Sequence, residues 1–526
     1  MRGSDAMLAP FVGAGILALV AVFYAFSPVL LVQEYEADVY HLLDLTERLR
    51  SGLLPHQETS TPLGFWSYWP IALLVDAGLP AGLAMLWAQM AVALVTLPAF
   101  LYVAVTRFRG WTGALYMALG LLLILGLSFG DRSAEVSFSM HYNRWCWAWG
   151  LVAVPLAMVP GMGRHGLLEG ILIGLAFAAM AMTKVTFFVA LLPVVGAALL
   201  LRQAWGATIW AMLTGAMVAG LTTLALGLPF WQAYAADLLL LLGAPFRDSP
   251  GNDLASVAIL PDYLPGTVLA LFGYMALRRE DGAGSALSLL LLALGGIYAT
   301  YQSFGNPPFW YAVAGIVLLA HMSFSARAVG AAFLVLAAPL WVNLAYTVPW
   351  HTALARDGGI ALIEGQALAI EVDPARQDQF DLSRSYVPGS GLQLNASEVR
   401  GLSGTALTAC RVTGGLTAWF GGVADAVRAS GIEPDSQIFV ADTISAHWLA
   451  GVGQPPRHSW ERATGASAPW YYQGLPGIGA AEVVVTPTCT TDPLRRQAIL
   501  GALQDSGLSF ELLLRHPMAE VHRIIR

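Results

Sequence analysis

Three carboxylates stand within five residues in Glu34-Tyr35-Glu36-Ala37-Asp38-Val39-Tyr40-His41, immediately beyond the first long apolar run. A carboxylate beside hydrocarbon is costly unless it faces water, a metal ion or a substrate. An acidic flank at a membrane interface, with no further role, is the plain alternative. Lys184, in Ala181-Met182-Thr183-Lys184-Val185-Thr186-Phe187-Phe188, is the only lysine of the chain and sits between two apolar runs. It either snorkels from a helix end or pairs with a phosphate, for which an ammonium is a good point charge.

A third group is Asp131-Arg132-Ser133-Ala134-Glu135, followed by His141-Tyr142-Asn143-Arg144. Arg132 and Arg144 lie where positive charge is disfavoured, which suggests either phosphate binding or ion pairs such as Asp131 with Arg144 and Glu135 with Arg132. His56, Glu58 and His141 could join Asp38, Asp131 or Glu135 around a divalent metal, although their spacing forms no local ligand motif. The stretch 229–261, read as a loop, offers Trp231, Tyr234, Asp237, Arg247, Asp248 and Asp253 for lining a sugar or lipid cavity.

The elements that hold these groups follow from composition. Of 526 residues 57% are hydrophobic and 12% charged, with a mean hydropathy of +0.62. A soluble domain carries about 25% charged residues, so an ordinary cytosolic enzyme is excluded. The net charge of −7 argues against a nucleic-acid partner, and the aperiodic Gly and Pro argue against collagen-like or disordered structure. The charge is uneven: about 9% of residues 1–349 but about 17% from Trp350 onward, close to a soluble domain. We therefore expect a membrane domain over 1–349 and a soluble α/β domain over 350–526. Its strands should be 437–441, 482–486, 510–514 and 520–525, with a helix over 494–506. Cys410 and Cys489 could pair if that domain lies in an oxidising compartment.

A span needs about 20 apolar residues. Candidates are 8–31, 80–105, 111–130, 145–161, 167–183, 185–201, 207–228, 262–277, 284–301, 309–323 and 328–348, eleven in all. The first is too long for a signal peptide and should stay as an anchor. With the N-terminus inside, Arg107 and Arg109, Arg164 and His165, Arg202, Arg278 and Arg279, and Arg327 all face the cytoplasm, as the positive-inside rule asks. Counting 63–79 as a crossing would invert every later loop. That segment is instead expected to lie in the outer interface, anchored by Trp66, Tyr68 and Trp69. The outer loops are then 32–79, 131–144, the turn at Lys184, 229–261, 302–308 and the C-terminal domain. Within the first, Val39 to Arg50 has helical spacing and is ended by Gly52 and Pro55, with Asp38 as a helix cap.

An acidic residue past the first span, a helix ending in Ser51-Gly52, the Pro55-His56 step and the aromatic stretch Pro62 to Trp69 resemble the first outer loop of the GT-C glycosyltransferases. The similarity is greatest to the lipid A aminoarabinose transferases and the protein O-mannosyltransferases. It implies a carboxylate of this loop acting as base on the acceptor or binding a metal: Asp38 first, by its distance from Ser51-Gly52, then Glu34 and Glu36. The family's frequent Asp-Glu pair is here Asp38-Val39. Lys184 resembles the lysine of the aminoarabinose transferases that meets polyprenyl phosphate, with Val185 in place of a glycine. The family's second acidic residue has Asn143 at the nearest position, or Asp131 or Glu135 serves.

The chain carries no Walker motif and no dinucleotide fingerprint between a strand and a helix, so no nucleotide cofactor is expected and a sugar donor has to come from the membrane. The expected activity is transfer of a sugar from a polyprenyl-phosphate donor to a glycan, lipid or protein acceptor on the outer face of a bacterial inner membrane, with the C-terminal domain in the periplasm. Lys184, Arg132, Arg144, His56 and Asn143 would bind substrate. A transporter, flippase or polysaccharide polymerase is the alternative, against which stands the lack of an internal repeat.

Overall fold

The backbone of an apolar run can satisfy its own hydrogen bonds in lipid only as a helix. The computed structural model bears this out; it describes residues 3–130, 134–161, 166–242, 253–303, 307–376, 380–381, 400–404, 411–412, 414–442, 444–454, 478–490 and 493–526. The chain opens with α1 (Gly3–Ala25), β1 (Leu30–Val32), α2 (Glu36–Arg50) and α3 (Trp69–Asp76). A run of helices follows: α4 (Ala81–Arg107), α5 (Trp111–Leu125), α6 (His141–Met158), α7 (Gly166–Thr183), α8 (Val185–Leu201), α9 (Trp205–Leu226) and α10 (Leu228–Leu242). Then come α11 (Ser256–Ile259), α12 (Leu264–Glu280), α13 (Ala283–Tyr301), α14 (Trp310–Leu319) and α15 (Phe324–Asp357).

Each of the eleven expected segments coincides with one of these helices. Six, within α1, α4, α7, α9, α13 and α15, are long and apolar enough to cross a membrane. Helix α6 is buried along nearly its whole length, whereas α9 turns Ile209, Met212, Met217, Leu221 and Leu224 outward. Such a wall of exposed apolar side chains suits lipid rather than water.

Basic helix ends gather at one end of the bundle. Arg107 pairs with Glu169 at 2.7 Å, and Arg202 donates to the Ala157 carbonyl at 2.6 Å. Gly284, which opens α13, lies against Leu201, and Ser325 of α15 donates to Glu280 of α12. Arg164 and His165 lie outside the described residues. At the opposite end the two segments expected as the first outer loops lace together, Gln33 N donating to the Val136 carbonyl and Gln33 Oε1 accepting from Val136 N.

Segment 63–79 does not cross. It is a single turn of 3-10 helix, Phe65–Ser67, followed by α3, whose eight residues are too few to span a bilayer. Its end is tied back by Arg50, which donates to Asp76 at 2.7 Å. Gly64 makes this course fit: its N–H bonds the Thr183 carbonyl at 3.0 Å, and a Cβ there would lie 2.1 Å from the Met182 carbonyl oxygen. The stretch 229–261 is not the loop that its polar content suggested. Gly227, at φ 80, turns the chain straight from α9 into α10, whose Pro229 falls in the first turn, where a missing N–H costs little.

Helix α15 runs on to Asp357 and delivers the chain to β2 (Ile360–Ala361) and β3 (Ile370–Val372). Strand β3 pairs parallel with β1, joining the C-terminal region to the segment just before α2. Two-residue strands β4 (Phe380–Asp381) and β5 (Arg411–Val412) form a short ladder before α16 (Gly415–Ala429). The rest is β6 (Ile438–Val440), β7 (Val483–Pro487), α17 (Pro493–Asp505), β8 (Ser509–Arg515) and β9 (Ala519–Ile525). Its sheet runs β6-β7-β9-β8, with β6 and β7 parallel, so the partly parallel sheet expected from alternating strands and helix is present. Val423 and Val427 of α16 pack in the large core with Val485 and Val521, while Ile499 and Leu503 of α17 meet Val484 on the other face. Cys489 is disulfide-bonded and Cys146 is free; Cys410 lies outside the described residues.

Candidate functional site

Helix α2 begins with Tyr35 as its cap, in the left-handed region at φ 58. Asp38 therefore falls inside the first turn, and its carboxylate is not the cap expected of it. It reaches across to the second outer loop, where the Ser139 hydroxyl donates to Oδ2. Ser139 is held in turn by its own N–H on the Ser137 hydroxyl, and Ser137 donates to the Glu34 carbonyl. Burial pushes the Asp38 carboxyl above the usual carboxylate range, opposed by the Ser139 hydrogen bond and by the charges of His41 and Lys184. His41, one turn along α2, is pushed down by burial against the pull of Asp44 and Asp38.

Lys184 occupies the one-residue break between α7 and α8, in an extended conformation. Helix α7 rises to it from the basic end and α8 returns there, so the lysine sits at the tip of a helical hairpin. Its Nζ donates to Asn143 Oδ1 at 2.9 Å and to the Ser303 hydroxyl at 3.3 Å, and lies 5.3 Å from the centre of the Tyr142 ring. Four separate segments thus meet here: the start of α2, the 134–144 stretch, the α7–α8 tip and the end of α13. Ser139 and Ser303 carried no signal in the sequence. Ser303 lies 119 residues from the lysine it touches, and a lone serine announces no such partner.

A second polar knot lies beside the first. His56 Nδ1 donates to Asp237 Oδ2 at 2.8 Å, the Ser60 hydroxyl donates to Oδ1, and Thr61 N completes the set at 3.2 Å. The imidazole stacks on Tyr234 at 4.3 Å, and Tyr234 donates to the Ala181 carbonyl near Lys184. Asp237, one acidic residue among several in what looked like a loop, joins the first outer loop to α10. The apolar run 238–242 was the signal that could have found α10, and its Asp, Trp and Tyr content hid it.

Other expected site residues are spent elsewhere. Glu36 faces Gly414, Gly415 and Thr417 at the N-terminus of α16, a favourable place for a carboxylate and away from Lys184. Glu34 is buried beside the laced loops. Arg144 is buried and donates to the Ser128 carbonyl and, at 3.5 Å, to Gln89. It thereby holds the residues that follow α5, giving the buried Ser128 carbonyl the donor that a backbone group away from water needs. Asp131 and Arg132 lie outside the described residues.

Among the described residues, those weighed as metal ligands do not converge. Glu58 accepts from Leu54 N at 2.8 Å within its own turn, while His141 donates from Nε2 to the Ser67 carbonyl and stacks on Phe138. Among the described residues no three His, Cys, Asp or Glu side chains are gathered, and neither Glu135 nor Asp38 has such company.

No protein-family profile matches the chain, and no curated protein matches it. Among solved structures it overlaps with ArnT from Cupriavidus metallidurans, a lipid A aminoarabinose transferase of the GT-C type, in the apo state and bound to undecaprenyl phosphate. Each overlap covers 97% of both chains at 12% sequence identity, with a TM-score of 0.42. A likeness of that degree carries no function across, and the chemistry of this chain has to stand on its own residues.

Proposed function

We propose that the chain is an integral-membrane glycosyltransferase that moves a sugar from a polyprenyl-phosphate donor to an acceptor hydroxyl at the end of the bundle where Asp38 and Lys184 meet. The observation that carries this reading is their juxtaposition: a carboxylate with a raised pKa and the chain's single lysine, brought to one place by four segments distant in sequence. That end faces outward in this reading, with eleven crossings and the C-terminal region in the periplasm. The arginine-bearing helix ends at the opposite end support it, since positive loops face the cytoplasm. So does the disulfide at Cys489, which needs an oxidising compartment.

The chemistry is a displacement at the anomeric carbon. The bond from that carbon to the phosphate oxygen breaks, a bond to the acceptor oxygen forms, and the acceptor proton passes to Asp38. The leaving polyprenyl phosphate takes the negative charge, which the Lys184 ammonium meets. Asn143, Ser303 and the Tyr142 ring hold that ammonium in place, so its charge is already positioned when the leaving group develops. A raised carboxyl pKa brings Asp38 nearer the operating pH, where a general base is most effective. Phosphate is a good leaving group, so holding donor and acceptor together supplies much of the acceleration.

The test is transfer in membranes holding the protein, with a panel of undecaprenyl-phosphate-linked hexoses and pentoses as donors. Product formation above empty membranes with at least one donor is the expected result. Movement of lipid-linked sugar across the bilayer without bond cleavage would make the protein a flippase instead.

A further inference from the structure

The polar residues of α2 form a stripe. Asp38, His41, Asp44 and Arg48 follow at intervals of three, three and four, which sets them along one helix face. At its far end Asp44 and Arg48 form an ion pair at 2.9 Å with both side chains fully buried. The C-terminal region covers this pair: Trp448, in the 3-10 turn His447–Ala450, donates from Nε1 to Asp44 Oδ1 at 2.8 Å, and its ring lies 5.8 Å from the Arg48 guanidinium carbon. Among the described residues two Arg48 nitrogens, Nη1 and Nη2, have no hydrogen-bond partner, so the pair is incompletely satisfied within α2 itself.

A buried ion pair contributes little to stability over an apolar replacement, yet it fixes a register because breaking it is expensive. The start of α2 is fixed separately. Strand β1 pairs with β3, the Tyr40 hydroxyl donates to the Leu362 carbonyl at 2.6 Å, and the Tyr40 ring stacks on Phe420 at 4.4 Å. Trp448 ties the second half of the polar stripe to the C-terminal region by a side-chain hydrogen bond. Resting on the reading of Asp38 as base, we infer that Trp448 is a positioning residue, which locks the Asp44–Arg48 pair and thereby the helix face that presents Asp38. The C-terminal region is in this sense part of the catalytic apparatus.

Trp448→Phe keeps a ring over Arg48 and deletes the N–H. In the full-length protein in proteoliposomes, with an undecaprenyl-phosphate sugar that it transfers, kcat should fall about 5- to 10-fold while the donor KM stays within about 2-fold, the signature of misplaced chemistry rather than lost binding. Adding Asp44→Asn should bring no further proportional loss, because both changes cut one connection. Amide exchange over residues 38–50 should quicken in Trp448→Phe and stay unchanged in α4. Wild-type kcat and wild-type exchange in Trp448→Phe would overturn the inference, as would multiplicative losses in the double variant or a fall in kcat matched by a fall in folded protein. A fully active Asp38→Asn would overturn the base reading and this inference together. An inactive Asp38→Asn beside an unaltered Trp448→Phe would overturn this inference alone.

Discussion

Asp38 differs from Glu34 and Glu36 in what surrounds it. Glu36 is turned to the N-terminus of α16, whereas Asp38 is held by Ser139 and feels the charge of Lys184. The spacing from Ser51-Gly52 singled it out in the sequence, but its hydrogen bond to a serine 101 residues away could not be read there. If Asp38 is the base, activity falls as pH drops through its raised pKa and the carboxylate is protonated. Ser139→Ala removes the hydrogen bond that holds that pKa down, so the acidic limb of the kcat–pH profile should move to higher pH; an unmoved limb would detach Ser139 from the base. Lys184→Ala should weaken binding of undecaprenyl phosphate by about tenfold or more, the loss of one charge-assisted contact, measured by titration in nanodiscs. Unchanged affinity would remove the phosphate role. Arg144 is the counterexample at this scale: its type and its violation of the charge rule pointed outward, while the carbonyl of Ser128 drew it into the bundle.

At the scale of elements, apolar length located the helices well, β-branched runs located β6 and β7, and the segments after Gly507 located β8 and β9. Helix α10 escaped because Trp231, Tyr234 and Asp237 gave it the look of an interface loop. Its function in the fold is to bring Asp237 to the first outer loop. Asp237→Ala should leave His56 Nδ1, the Ser60 hydroxyl and Thr61 N without their acceptor and cost about 1–3 kcal/mol, read from thermal unfolding of the purified protein. The strands β1, β2 and β3 also escaped, being two or three residues long, and β1 finds its partner β3 across more than 300 positions of sequence. Gly64→Ala tests how closely the first outer loop must approach α7. Its Cβ would collide with backbone, not with a flexible side chain, so the loop has to shift. Transfer activity should fall by more than the folded fraction does; an equal fall would mean that the approach matters for stability only.

For the molecule as a whole, the few charges of the membrane part sort to its two ends. Arg107, Glu169 and Arg202 lie at one, and Asp38, Lys184, His56 and Asp237 at the other. The sequence pointed to this arrangement because scarce charges in apolar helices have only the ends to occupy. In a Cys146→Ala background, Glu135→Cys should react with an impermeant maleimide added outside intact cells, and Arg109→Cys only after permeabilisation; the reverse order would invert the topology. The central claim is that one outward site pairs a base with a phosphate-binding lysine, and Asp38→Asn tests it most directly. In proteoliposomes with an undecaprenyl-phosphate sugar as donor, kcat should fall by about 10² or more, the usual contribution of a general base, with affinity for undecaprenyl phosphate unchanged. A correctly folded Asp38→Asn protein that transfers sugar at the wild-type rate would contradict the account.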